Sequence, residues 1–126
     1  MALSRILVVD DEESIREFFQ IMLKREGYEV LTASNGREGF EVFKKNPVDV
    51  IISDIQMPEM SGMDLLQKVK EADPEMVMIM VTAFGSTDTA VEAMKLGAYD
   101  YLQKPFKIDE VKIILKQALE KRSLKL

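Results

Sequence analysis

The chain has 126 residues, of which 47% are hydrophobic and 31% charged, with a formal net charge of −5 and neither His nor Cys. This composition predicts one soluble globular domain, and its acidic balance argues against direct binding to a nucleic-acid backbone. Without His or Cys, the usual zinc sites and the Ser-His-Asp and Cys-His nucleophiles cannot form, so a bound metal must have oxygen ligands.

Five strand-like runs alternate with helical patterns along the chain. The first run, Arg5–Val9, is apolar after its first residue, as expected for a strand covered on both faces. Apolar residues at i, i+3, i+4, i+7 and i+8 from Ile15 then predict a helix that ends at Gly27. The later predicted elements are a strand at Glu29–Ala33, a turn or cap at Ser34–Gly36, a helix ending by Pro47, a strand at Val48–Ser53, a helix at Met63–Ala72, a strand at Met76–Val81, a helix near Ser86–Leu96 with Ser86 as its N-cap, an edge strand at Ala98–Leu102 and a helix spanning Val111–Leu119.

This alternation predicts an α/β fold, a doubly wound parallel sheet with helices on both faces. We find no internal repeat or linker, no secretory signal, and no apolar run near the roughly 18 residues of a membrane span. We therefore expect one cytoplasmic domain over residues 1–126, with no membrane contact. The chain becomes more polar over its last residues, "EKRSLKL", and we interpret residues 122–126 as either a free end or the start of a linker to an output domain.

Three carboxylates follow apolar strands. Asp10 and Asp11 come after the first strand, and Asp54 ends the third. If those strands are neighbours, the three side chains meet at one edge of the sheet, where doubly wound folds bind their ligands. Their repulsion would require a cation, and oxygen ligands favour Mg²⁺, with Mn²⁺ as an alternative. Acidic residues before a helix also stabilise its N-terminus, which is the simpler interpretation of Glu12 and Glu13.

The last two strands end in residues that suit the same chemistry. Thr82-Ala83 ends the fourth strand, and Lys104-Pro105 follows the fifth. The proline can hold a tight turn, and the peptide bond that precedes it is either trans or cis. An Asp carboxylate can act as a nucleophile toward phosphorus. A divalent cation, an ammonium group and a hydroxyl would stabilise the phosphoryl oxygens during transfer.

Four segments carry a family resemblance: "ILVVDDEESIR", "DVIISDIQMPEMSGMDLL", "VTAFGS" and "GAYDYLQKPF". From Arg5 to about Lys121 the chain resembles the receiver domain of bacterial two-component response regulators. It is most similar to receivers of nitrogen-regulator-type sigma54-dependent transcriptional activators. The resemblance implies a flavodoxin-like (βα)5 fold, whose five-stranded parallel sheet has the strand order 2-1-3-4-5.

The resemblance also implies a role for each site residue. Asp54 matches the phosphoacceptor, and Lys104 and Thr82 match the residues that contact the phosphoryl group. The metal ligands would be Asp11, Asp54, the backbone carbonyl of Gln56 and, through water, Asp10, whereas the conformational switch would use Thr82, Tyr101 and Ala83. Thr82 also suits a plain strand end, and Tyr101 simple packing at a sheet edge.

The function implied by the resemblance is a switch operated by phosphorylation, rather than an enzyme acting on other molecules. A sensor histidine kinase would phosphorylate Asp54 in a Mg²⁺-dependent reaction. The face built by the fourth helix, fifth strand and fifth helix would then change and control an output domain or partner protein in transcription regulation, with a homodimer as a further alternative. Gln56 and Phe84 fall at positions that vary in the family, and by analogy they would set how fast water reaches the phosphoaspartate.

Three alternatives remain open at the level of sequence. An aspartyl phosphatase of the haloacid-dehalogenase type would have a second Asp two residues after its nucleophile, where this chain has Gln56. A flavin-binding module is suggested by "FGSTDT", although a phosphate-binding loop should follow the first strand. Within the favoured family, a free-standing receiver is the alternative to a domain of a longer activator.

Overall fold

The computed structural model describes residues 4–57, 59–83 and 87–125 of the chain. Strands and helices alternate throughout these residues. They are β1 (Arg5–Val9), α1 (Glu13–Arg25), β2 (Glu29–Ala33), α2 (Gly36–Lys45), β3 (Val50–Asp54), α3 (Gly62–Ala72), β4 (Val77–Thr82), α4 (Thr87–Lys95), β5 (Asp100–Gln103) and α5 (Ile108–Lys125). The predicted N-cap Ser86 and the variable position Phe84 lie outside the described residues, as does Pro58.

The five strands form one parallel sheet in the order β2-β1-β3-β4-β5, which confirms the predicted fold and places β5 at an edge. Alternate residues of each strand face opposite sides of the sheet. Ile6 and Val8 therefore pack in one core with α1 and α5, while Leu7 and Val9 pack in a second core with α2, α3 and α4. Both faces of the sheet are covered, which explains the continuous apolar runs of the strands.

The predicted bounds of β1 and β2 are confirmed, whereas β3, β4 and β5 begin one or two residues later than the apolar runs suggest. Val48, Met76 and Ala98 open those runs and are buried, but they precede the first paired residues of their strands. An apolar residue therefore predicts burial and not pairing with a neighbouring strand. The two differ at the start of a strand, where residues are buried before pairing begins.

Local caps fix where two helices on one face of the sheet begin. The Asn35 side chain accepts a hydrogen bond from the Glu38 backbone N–H at 2.8 Å, and the Ser61 hydroxyl accepts one from the Asp64 N–H at 3.2 Å. Such caps stabilise a helix by about 1 kcal/mol. Among the described residues, no helix combines the length and hydrophobicity needed to cross a membrane.

Candidate metal centre

The order of the strands brings three carboxylates to one edge of the sheet. β1 and β3 are neighbours, and Val9 pairs with Ser53, so Asp10 and Asp54 leave the two strands side by side. Asp10, Asp11 and Asp54 each offer an oxygen atom, and these three atoms all lie within 4.8 Å of one another. The prediction that separate strands bring these carboxylates together is therefore fulfilled.

Two of these carboxylates are buried, and burial raises their pKa values. Asp10 is 2% exposed and Asp54 is 8% exposed, whereas Asp11 faces solvent. Burial raises the pKa of Asp10 to about 6, and the negative charges of Asp54 and Asp11 also raise it, against the lowering effects of the Glu12 N–H and Lys104. Burial likewise raises the pKa of Asp54, partly offset by Lys104 and by the N–H groups that follow it.

Lys104 supplies the positive charge at this site. Its Nζ lies 3.5 Å from an oxygen of Asp54, 3.6 Å from one of Glu12 and 3.9 Å from one of Asp10. Burial alone would lower the pKa of Lys104, but the attraction of the three carboxylates outweighs it and raises this pKa. The Lys104 backbone N–H donates to the Thr82 carbonyl at 2.8 Å, and the peptide bond to Pro105 is cis. One ammonium group therefore faces several carboxylates, which leaves the site with excess negative charge.

The predicted switch residues lie at different depths. Thr82 is buried, and its hydroxyl donates to the Leu102 carbonyl at 3.5 Å, while Ala83 is exposed beside it. Tyr101 is 41% exposed on the edge strand and does not line the cleft. The structure thus brings Thr82 and Ala83 to the carboxylates and leaves the Tyr101 side chain at the surface.

A cleft of about 350 Å³ opens above the carboxylates. Gln56 lies at its rim, with an exposed side chain and a backbone N–H that donates to Asp54 Oδ1 at 3.4 Å. Both polar and apolar groups line this cleft: Asp11, Glu12, Asp54, Ile55, Gln56, Thr82, Ala83, Thr89 and Lys104.

Sequence reasoning missed three residues at this site. The sequence predicts Glu12 only as a charge at the start of a helix, yet it forms an ion pair with Lys104. Arg16 on α1 donates through Nη1 to the Asp10 carbonyl at 2.6 Å, and Thr89 on α4 lines the cleft. The position of Glu12 next to the acidic pair is an available signal, whereas nothing local distinguishes Arg16 or Thr89 from ordinary exposed helical residues.

The donor atoms of this cluster fit a hard divalent cation. Carboxylate oxygens are the ligands that Mg²⁺ and Mn²⁺ prefer, and neither His nor Cys is available to favour a softer metal. Bringing buried carboxylates within 4.8 Å of one another is unfavourable unless protons or cations neutralise them. A cation is therefore the natural complement of the site, with Lys104 supplying only part of the charge.

Comparison with known proteins identifies the family of the chain. The family model "Response regulator receiver domain" matches residues 6–116. The chain belongs to this family. It is 39% identical over 124 residues to the regulatory protein AtoC of Escherichia coli (strain K12), and 37% identical over 123 residues to the response regulator protein PilR of Pseudomonas aeruginosa PAO1. Those matches cover 98% of this receiver but only 27% and 28% of the relatives, so it spans about a quarter of their length.

Solved structures agree with this assignment. A response regulator receiver domain protein from Clostridium thermocellum superposes with a TM-score of 0.94 at 40% identity, covering 98% of this receiver and 100% of that chain. NtrX from Brucella abortus, solved in complex with ADP, superposes with a TM-score of 0.93 at 34% identity, and there the match covers 29% of the longer chain. Receivers of this type thus occur both as complete chains in crystals and within longer regulators.

Proposed function

We propose that this receiver is a switch in which Asp54 accepts a phosphoryl group from a sensor histidine kinase in a Mg²⁺-dependent reaction. The observation that supports this most directly is the meeting of three carboxylates within 4.8 Å, with Lys104 Nζ 3.5 Å from Asp54. In the transfer, an Asp54 oxygen forms a bond to phosphorus as the bond from phosphorus to the donor imidazole breaks, and the imidazole nitrogen takes up a proton. The donor His lies outside these 126 residues, because they contain none.

Each residue of the site has a distinct role in this proposal. Asp11, Asp54 and the Gln56 carbonyl would hold the ion, and Asp10 would reach it through water. When bound, Mg²⁺ supplies positive charge that offsets the phosphoryl oxygens. Lys104 would stabilise those oxygens from the β5 side of the cleft. The Thr82 hydroxyl lines the same cleft and would exchange its carbonyl partner for one of them.

The conformational change would pass from the site to β5, the strand at the side of the sheet. Tyr101 lies on β5 beside the strand that ends in Thr82, and the small side chain of Ala83 would leave room for an aromatic ring. Inward movement of Thr82 and Tyr101 would change the surface formed by α4, β5 and α5, which exposes Val91 and Met94 besides Tyr101. A local charge change would in this way bias a two-state equilibrium.

The partners follow from the kind of regulator that contains such receivers. We propose that this receiver controls the output domain of a cytoplasmic transcriptional regulator, because AtoC and PilR are named as regulators and this receiver spans only about a quarter of their length. It would act on no other substrate and catalyse only its own phosphorylation and dephosphorylation. A homodimer formed through the α4-β5-α5 surface would be one way to transmit the change.

Labelling by a small phosphodonor tests the nucleophile directly. We expect acetyl phosphate with Mg²⁺ to add one phosphoryl group to the wild-type chain, as measured by intact mass, and chelation of Mg²⁺ to prevent it. Asp54→Ala should abolish the added mass. The matched control is Asp64→Ala, which removes an exposed carboxylate from α3 and should label normally. A labelled Asp54→Ala variant would show that another residue is the nucleophile.

A further inference from the structure

The loop between β3 and α3 is held by the start of α2. The Gly36 backbone N–H donates to the Met60 carbonyl at 3.2 Å, and Asn35 Nδ2 donates to Glu59 Oε2 at 3.0 Å. The other side-chain atom of Asn35, Oδ1, accepts from the Glu38 N–H and caps α2. One asparagine therefore joins the N-terminus of a helix to a loop that begins at the phosphorylation site.

This loop has a backbone conformation that requires support. Glu59 has a φ of 67°, in the left-handed region that residues other than Gly, Asn and Asp seldom adopt. A Cβ on Gly36 would lie 2.3 Å from the Met60 carbonyl oxygen, so only glycine permits this close approach. The contacts with α2 thus coincide with the strained part of the loop, and they stabilise one of its conformations.

We infer that Asn35 and Glu59 are positioning residues that fix the β3–α3 loop and, through it, the Gln56 backbone carbonyl at the metal centre. This inference rests on the proposed Mg²⁺ site. The Gly62 N–H donates to the Ile55 carbonyl at 2.7 Å and closes the loop at its base. Gln56 lies between that hydrogen bond and the contact with α2, so both attachments restrict where its carbonyl is placed. Neither Asn35 nor Glu59 lines the cleft itself.

The variant Asn35→Asp tests this role, because the proposal predicts that its Kd for Mg²⁺ rises. The new carboxylate keeps an acceptor for the Glu38 N–H, but it replaces the donor that faces Glu59 with a negative charge. We expect the Kd for Mg²⁺, measured by calorimetric titration with MgCl₂, to rise about tenfold, as is typical when a group that orients a metal ligand is lost. An added negative charge acting only at a distance would lower this Kd.

A second substitution provides the rescue. In the double variant Asn35→Asp, Glu59→Gln, the Gln amide donates to the Asp carboxylate, so the hydrogen bond is restored in the opposite direction and the net charge equals that of the wild type. We expect its Kd for Mg²⁺ to return to within about twofold of the wild-type value. The control Glu59→Gln, in which the Gln oxygen still accepts from Asn35, should also stay within about twofold.

Phosphorylation kinetics separate positioning from a general loss of structure. With acetyl phosphate, Asn35→Asp should raise the Mg²⁺ concentration for half-maximal labelling about tenfold and leave the rate at saturating Mg²⁺ nearly unchanged. Unchanged or tighter Mg²⁺ binding in Asn35→Asp, or the absence of rescue in the double variant, would overturn the inference. If the wild-type chain itself bound no Mg²⁺, the proposed function would fail first, and the two failures are therefore distinguishable.

Discussion

Asp10 has the least contact with solvent among the carboxylates of the site. It is held on both sides, because its carboxylate accepts from the Glu12 N–H at 2.9 Å and its carbonyl accepts from Arg16. Its side chain is nevertheless surrounded by more negative than positive charge, and burial raises its pKa to about 6. The folded domain therefore stabilises the protonated form of a residue that is ionised at neutral pH in the unfolded chain.

This difference predicts how stability depends on pH in the absence of metal. Between the ordinary pKa of 3.8 and about 6, the folded state keeps a proton that the unfolded state has lost, so the free energy of unfolding falls as pH rises. A shift of this size corresponds to about 2–3 kcal/mol. Asp10→Asn removes the titration and keeps an acceptor for the Glu12 N–H, so we expect a flatter profile and a more stable metal-free protein at pH 7.5.

Urea unfolding at pH 4.5 to 7.5 with a chelator present measures this effect. The matched variant Asp64→Asn changes an exposed carboxylate and should keep the wild-type slope. Equal slopes in the wild type and in Asp10→Asn would contradict a raised pKa at Asp10.

At the scale of elements, the sequence encodes the sheet more completely than the contacts between its loops. The buried strands are continuous apolar runs, and their carboxyl ends carry the acidic and hydroxyl residues, so a parallel α/β sheet is predictable from them. The strand order that brings Asp10 to Asp54 is implied by the family resemblance and not by the runs themselves. The ion pair between Glu12 and Lys104 and the approach of Gly36 to Met60 join segments far apart in the chain. No local periodicity encodes such contacts, and residue type alone does not determine how far the Tyr101 ring is exposed.

Gly62 tests the junction between β3 and α3. A Cβ on this residue would lie 2.0 Å from the Asp54 carbonyl oxygen and 2.8 Å from the Ile55 Cα, so the backbone must move to accommodate one methyl group. We expect Gly62→Ala to lower the free energy of unfolding by about 3 kcal/mol, because rigid backbone and not a flexible side chain receives the clash.

Gly27→Ala is the matched control for this substitution. Gly27 has a φ of 92°, but a Cβ added there would meet nothing within 4 Å, so this variant should lose only about 1 kcal/mol from backbone strain. Denaturant unfolding of both variants compares steric clash with strain alone. A Gly62→Ala variant as stable as Gly27→Ala would show that the junction is not tightly packed.

At the scale of the whole molecule, the site works against the stability of the domain. Two buried carboxylates at the edge of the central sheet repel each other, and Lys104 also has Glu12 to neutralise. The free energy of unfolding of a domain of this size is about 6–19 kcal/mol. The repulsion within an unneutralised site is therefore considerable in comparison with it. Binding of a cation should therefore be visible in global unfolding, although the site occupies one end of the molecule.

Mg²⁺ should stabilise the domain more at neutral than at acidic pH, because cation binding requires the carboxylates to lose their protons. At pH 7.5, tenfold excess over Kd contributes about 1.4 kcal/mol, which corresponds to a Tm increase of about 5 °C. At pH 5, protonation of Asp10 with its pKa near 6 weakens binding about tenfold, and the same Mg²⁺ concentration contributes only about 0.4 kcal/mol. Thermal unfolding with MgCl₂ at the two pH values, with NaCl at matched ionic strength as the control, measures the difference. An equal Tm increase at both pH values would mean that Mg²⁺ binds away from these carboxylates.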